Sequence, residues 1–157
     1  MRQSPLFTPL DVGSMTLSNR ITVPPMCQYQ AKDGKPSTWH LVHYGKLAGS
    51  GASLVCIESV GVAKEGRITI GCLGLWDDEQ VEPFAEVIRT MRAINPDIKV
   101  MVQLNHSGRK GSHDVQWVGK LLSPQEGGWV VKSASPISAG GAYPVPEMMS
   151  KADIDTV

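Results

Sequence analysis

Four consecutive side chains of this 157-residue sequence carry chemistry: the thioether of Met26, the thiol of Cys27, the amide of Gln28 and the phenol of Tyr29. They follow the β-rich run Ile21-Thr22-Val23 and the pair Pro24-Pro25. Proline cannot donate to a sheet ladder, so a strand ends there and delivers reactive groups just beyond its C-terminal end. In α/β barrels and open α/β sheets, those strand ends are where ligands bind. A nucleophilic role for Cys27 needs a neighbouring base, which the sequence does not place. The plain alternative is a strand that leaves its sheet with an ordinary buried Met and Cys.

A second set of candidates closes two further apolar runs. Ala52 to Ser59, centred on Val55, Cys56 and Ile57 and bounded by glycines, fits a buried parallel strand ending on Glu58-Ser59. A carboxylate there must be paired or hydrogen-bonded, so Glu58 is either a structural anchor or part of a site. Ile98 to Leu104 alternates: Ile98, Val100, Val102 and Leu104 share a face that should meet helices, and Gln103 points the other way. In a closed barrel that other way is the interior, near the mouth.

The connecting elements follow from periodicity and turn chemistry. Leu10 to Leu17 reads as a β-hairpin around Gly13-Ser14, in a type II′ turn. Ser37 or Thr38 can cap a helix beginning near Trp39, with Leu41, Tyr44, Leu47 and Ala48 on one face, ended by Gly49-Ser50-Gly51. Asp77-Asp78-Glu79-Gln80 opens a second helix with Val81, Phe84, Ala85, Ile88 and Met91 at helical spacing; Pro83 implies a separate turn before its main body. The order is βαβαβ with no Gly-x-Gly-x-x-Gly loop after any strand, which favours a barrel over a dinucleotide-binding sheet. From Asn105 to Tyr143 no period is sustained, but Trp117, Trp129 and Tyr143 mark an ordered excursion over a site. Ser150-Lys151-Ala152-Asp153 then resembles a capping box just before the sequence stops.

Composition bounds the function. Fifteen basic residues balance fifteen acidic ones, so no global field attracts nucleic acid or an anionic membrane. No signal-peptide segment follows Met1, and no run approaches the ~20 apolar residues that span a bilayer, so a soluble, cytoplasmic protein is expected. Cys27, Cys56 and Cys72 show neither disulfide-framework nor zinc spacing and are expected to be free thiols.

Taken together, Leu6-Phe7-Thr8-Pro9-Leu10, Asn19-Arg20-Ile21, Pro25-Met26-Cys27-Gln28-Tyr29, Glu65-Gly66-Arg67-Ile68, Gly74-Leu75-Trp76 and Gln103 to Lys110 give the whole chain a resemblance. It is similar to the N-terminal half of an old yellow enzyme of the bacterial NADPH dehydrogenase (xenobiotic reductase) subgroup. The resemblance implies a partial (β/α)8 TIM barrel, about strands one to three plus the hairpin, with residues 1–157 the N-terminal part of one FMN-binding domain. It implies hydride transfer from NADPH through FMN to an α,β-unsaturated carbonyl or similar activated alkene. Pro24, Pro25, Met26 and Cys27 would line the flavin, with Ser59 and Gln103 also in contact. Cys27 would tune the flavin as a polarisable weak donor, and Tyr29, a neutral phenol, would donate toward the substrate.

His106 and Arg109 read as loop-ordering groups, His40 and His43 as scaffold, and Trp117 and Trp129 as packing for the excursion. The family's paired histidines and tyrosine proton donor lie on the next strand and are absent, as are the phosphate-binding loops. A barrel of this class needs about 250 residues, so a truncated or split member is expected. Its alternative role is a non-catalytic half-barrel that assembles with a complementary C-terminal half or with itself.

Overall fold

The computed structural model describes residues 4–157; Met1-Arg2-Gln3, the start of the stretch expected to carry no signal peptide, lie outside them. Strands β1 (Leu10–Val12) and β2 (Met15–Leu17) form the expected hairpin, with Val12 opposite Met15. Gly13 takes φ 59°, the left-handed conformation that a type II′ turn demands at its first central position. The chain next passes through Asn19, whose Nδ2 donates to Gly51 O at 2.9 Å while its own carbonyl accepts from Ser53 Oγ at 2.7 Å. These bonds fasten the end of the hairpin segment to the N-terminal end of the central strand.

Three parallel strands make the sheet: β3 (Thr22–Val23), β4 (Leu54–Gly61) and β6 (Lys99–Asn105), with β4 in the middle. The order one, two, three expected from sequence therefore holds. After Val23 the chain leaves the edge of β4, and β5 (Leu73–Gly74) takes its place there, pairing with Val60 and Gly61. Prolines 24 and 25 explain the departure, since neither can donate to the ladder.

Helices α1 (Thr38–Ala48) and α2 (Val81–Ile94) cover one face of the sheet. Tyr44 and Ala48 of α1, Phe84, Val87 and Met91 of α2, Val55, Ile57 and Val60 of β4, and Ile98 form one buried cluster. Ser37 caps α1, with its backbone N–H donating to His40 Nδ1 at 2.9 Å. A single 3-10 turn, Asp78–Gln80, precedes α2, capped by Asp77 accepting from Glu79 N. Pro83 falls in the first turn of α2, where its missing N–H would have had no intrahelical partner. Phe84 and Met91 of the expected face are buried, joined by Val87, whereas Val81 lies outside the core at 56% exposure.

Two sequence expectations are corrected here. Glu58 does not end its strand: β4 runs on to Gly61, and the pairing with β6 shifts between Ile57 and Ser59, so Glu58 is the extra residue of a β-bulge. The apolar face of β6 meets helices only in its first half. Ile98 is buried and Val100 packs on the core, whereas Val102 and Leu104 are 37% and 60% exposed because α2 reaches no further along the strand.

The 105–143 excursion is ordered. Arg109 donates to Ile137 O at 2.8 Å, Ser135 Oγ at 2.9 Å and Ser133 Oγ at 3.2 Å, which makes it a tie within the excursion. Strand β7 (Lys132–Ser133) pairs in parallel with β8 (Glu147–Met148), and α3 (Lys151–Thr156) follows, capped by Ser150 Oγ accepting from Asp153 N. No helix among the described residues is long and apolar enough to cross a membrane.

Candidate functional site

A shelf forms where β3, β4 and β6 reach their C-terminal ends. Ser59 of β4 and Gln103 of β6 are register partners across the sheet. Val100 packs on the helix-covered core and strand side chains alternate, so Gln103 lies on the opposite face, as the sequence implies. Its exposed amide carries no hydrogen bond among the described residues. Pro24, Pro25 and Met26 follow directly where β3 ends its pairing with β4; Met26 is 45% exposed. The Ser59 amide hydrogen-bonds the half-buried Cys27 sulfur, which brings the Met26–Cys27 segment up to Ser59.

Glu58 holds this segment from below. Fully buried, it accepts from Gln28 N at 2.8 Å through Oε2 and from the Tyr44 hydroxyl at 3.2 Å through Oε1. Its own N–H donates to the Tyr44 oxygen at 2.9 Å. Because His40 Nδ1 accepts from Ser37 N, the neutral ring carries its proton on Nε2, which stands 3.5 Å from Glu58 Oε1. Nε2 makes no hydrogen bond among the described residues, so this contact is one of proximity alone. The carboxylate therefore serves as an anchor beneath the shelf, and the bulge is what turns it toward α1. Burial, followed by the adjacent Glu58 charge, pushes the Tyr44 phenol far up, so it remains a donor.

Gln28 is held further by its side chain: Nε2 donates to Met26 O at 2.8 Å, and Oε1 accepts from Trp39 Nε1 at 3.0 Å. Tyr29 adopts φ 55°, an uncommon conformation for a non-glycine residue. Its carbonyl lies so close to Gly71 that a Cβ there would meet the oxygen at 2.6 Å, so only glycine fits position 71. The Tyr29 ring meets Trp117 edge-on at 5.8 Å, and its hydroxyl hydrogen-bonds the Gln116 side chain. Burial and the nearby Cys27 and Cys72 sulfurs raise its pKa. Trp117 itself is 65% exposed, so it covers Tyr29 instead of packing the excursion as the sequence suggested.

The packing role falls to Trp129. Its Nε1 donates to Glu65 O at 2.7 Å, and the Arg67 guanidinium lies 5.0 Å from its ring centroid and 5.2 Å from that of Trp76. Ser107 Oγ donates to Arg67 O at 2.7 Å. The Glu65-Gly66-Arg67-Ile68 motif is thus the clasp between the excursion and the sheet. His106 Nδ1 accepts from Gly108 N within the same loop. No group of three or more His, Cys, Asp or Glu side chains among the described residues is arranged to hold a metal. A groove of about 640 Å³ lined by Lys32, Lys35, Ser37, Leu41, Pro83 and Glu86 contains none of the shelf residues.

The sequence profile of the NADH:flavin oxidoreductase / NADH oxidase family matches residues 5–157. The chain belongs to this family. Its relatives include an NADH:flavin oxidoreductase of Gibberella zeae, 36% identical over 96% of this chain and 37% of that protein. The NADPH dehydrogenase of Bacillus subtilis is 37% identical over 84% of this chain and 38% of that protein. This flavin oxidoreductase-family chain thus spans well under half the length of these curated relatives. Morphinone reductase superposes with a TM-score of 0.78 at 24% identity, covering 96% of this chain and 41% of that one. The old yellow enzyme homologue from Zymomonas mobilis gives 0.76 at 22% identity, covering 97% and 41%. At such identities the likeness is one of fold: part of an old yellow enzyme α/β barrel.

Proposed function

We propose that residues 1–157 are the N-terminal part of a single FMN-binding barrel domain, and that the protein containing them transfers hydride from NADPH to the β-carbon of an activated alkene. The observation that carries this reading is the chemistry of the shelf. Its groups are an exposed thioether (Met26), a thiol (Cys27), a hydroxyl (Ser59), an amide with no partner among the described residues (Gln103) and a phenol (Tyr29), beside two prolines. All are neutral, and the nearby carboxylate of Glu58 is turned away into its own anchor. A flat, uncharged heteroaromatic ring with hydrogen-bonding edges fits this donor set; a phosphate or a metal does not.

FMN, when bound, supplies the redox chemistry of accepting and passing on hydride. Pro24, Pro25 and Met26 would bear on the ring, while the Ser59 hydroxyl and Gln103 amide answer its polar edge. Cys27 stays protonated, since its hydrogen bond with Cys72, its burial and the Glu58 charge all push the thiol up. A neutral thiol is a weak, polarisable donor suited to adjusting a cofactor's electronics. Tyr29, protonated as well, keeps a donor for a substrate carbonyl that gains negative charge.

The protein that contains these residues is expected to purify yellow and to oxidise NADPH in the presence of 2-cyclohexenone; a colourless protein inert to the enone refutes the reading. Cys27→Ala is expected to shift the FMN reduction potential while leaving measurable turnover, because the thiol is no hydride carrier. Complete loss of turnover with flavin still bound would instead assign Cys27 a nucleophilic role.

A further inference from the structure

Trp117 is 65% exposed, yet the turn that carries it is built to hold it in place. Asp114 N donates to Lys120 O at 2.8 Å, and Val118 N and Gly119 N both donate to Val115 O at 2.9 Å. Gly119 takes φ 67°, a left-handed conformation that glycine adopts without strain. Two backbone bonds fasten the base of the turn to the clasp segment: His113 N donates to Ile68 O at 3.2 Å, and Ile70 N donates to His113 O at 3.1 Å. Val115 crowds Gly71, where a Cβ would meet its Cγ1 at 2.9 Å, on the same glycine that the Tyr29 carbonyl approaches. The backbone therefore sets the indole edge-on to Tyr29, with ring centroids 5.8 Å apart and the rings at 80°, and leaves most of its surface open.

We propose that Trp117 is a specificity-determining residue of the shelf: its open surface receives a flat apolar ring on the substrate, so that an activated alkene bearing an aryl group is preferred to one without. The proposal rests on the reading of Tyr29 as donor to the substrate carbonyl. A carbonyl held there brings the rest of the conjugated molecule within reach of the indole, because the Tyr29 and Trp117 rings are already in contact. A substrate ring then makes a third member of the group, in the offset or edge-to-face contacts that aromatic rings favour. The indole is fixed beforehand, so little side-chain freedom is lost when a ligand meets it.

Charge around the ring sets the class of ligand. Of the charged side chains in residues 114–120, Asp114 accepts from Val115 N at 2.7 Å, and Lys120 is paired with Glu126. Val118, next to the indole in sequence, is 55% exposed. The turn thus presents apolar surface and, within residues 114–120, no free cation. An aryl ring suits it. A nucleotide phosphate, which calls for cationic side chains or a helix N-terminus, does not.

The test compares two enones. The protein containing these residues is assayed for NADPH-driven reduction of benzylideneacetone, which carries a phenyl ring, and of 2-cyclohexenone, which does not. Trp117→Ala is expected to lower the ratio of their kcat/KM values about tenfold, through KM for the aryl enone, the size of effect expected for one lost aromatic contact. Trp117→Phe keeps a ring and should recover most of the ratio. An unchanged ratio, including one preserved because both reductions fall together, overturns the proposal. Titration calorimetry with benzylacetone, the saturated aryl ketone, asks the same question without turnover. Trp117→Ala should weaken its Kd about tenfold, and equal affinities, or no binding by either protein, overturn the proposal. Failure of the flavin reading shows differently, as a wild-type protein that turns over neither enone, and the calorimetric comparison then decides the role of Trp117 by itself.

Discussion

Replacing Glu58 with alanine is expected to lower stability by about 3–5 kcal/mol, the range for removing one partner from a buried charged network. The loss has identifiable parts. Gln28 N and the Tyr44 hydroxyl each lose an acceptor at 2.8 Å and 3.2 Å, and the His40 Nε2 proton, already without a bonded partner, loses the charge 3.5 Å away. A cavity replaces the side chain, since Glu58 is fully buried. For a chain of this size each kcal/mol moves the melting midpoint by roughly 2–4 °C, so a fall of about 10 °C is expected in calorimetry. Tyr44→Phe should cost less, about 1–3 kcal/mol, because it leaves the Glu58 amide without its acceptor but keeps the ring in the core. The same network holds Gln28, so Glu58→Ala should also speed alkylation of Cys27 in the native protein. An unchanged midpoint together with unchanged Cys27 labelling would remove Glu58 from its place beneath the shelf.

Local alternation explains why some of this architecture is legible in the sequence. The direction of Gln103 follows from period-two patterning over Ile98–Leu104, a signal that needs no tertiary knowledge. The same holds for the βαβαβ order and for Gly13 in its turn. Glu58 shows where local reasoning stops: nothing in the run Val55-Cys56-Ile57-Glu58-Ser59 announces a bulge, which arises only when β6 pairs on both sides of the extra residue. The approach of residues 29–31 to the 69–72 turn is hidden for a related reason. It depends on Gly71 tolerating the Tyr29 carbonyl, a backbone approach that a solitary glycine signals only once the partner segment is known. Trp117 departs from the expected packing role because aromatic type alone suggests burial, whereas this ring stands 65% exposed, edge-on to Tyr29.

The largest effect concerns the 157 residues by themselves: they are expected to associate and to retain little FMN. Among the described residues β6 pairs only with β4, and β3 likewise, so each strand leaves an open edge. Exposed edges template pairing with other chains. Beside one of them Val102 and Leu104 add an apolar surface that no described helix covers. The expected weakness of FMN binding follows from the shelf's neutrality. Its thioether, thiol, hydroxyl, amide and phenol can hold a ring, but none supplies positive charge for a phosphate, which helix termini and cationic side chains normally provide. Size-exclusion chromatography, the flavin absorbance band and NADPH oxidation with 2-cyclohexenone measure the three consequences. Oligomers, little bound flavin and baseline turnover are expected, with flavin and turnover recovered when a complementary half is supplied in trans. A monodisperse yellow monomer that turns over unaided would show that the open edge and the missing phosphate contacts are immaterial.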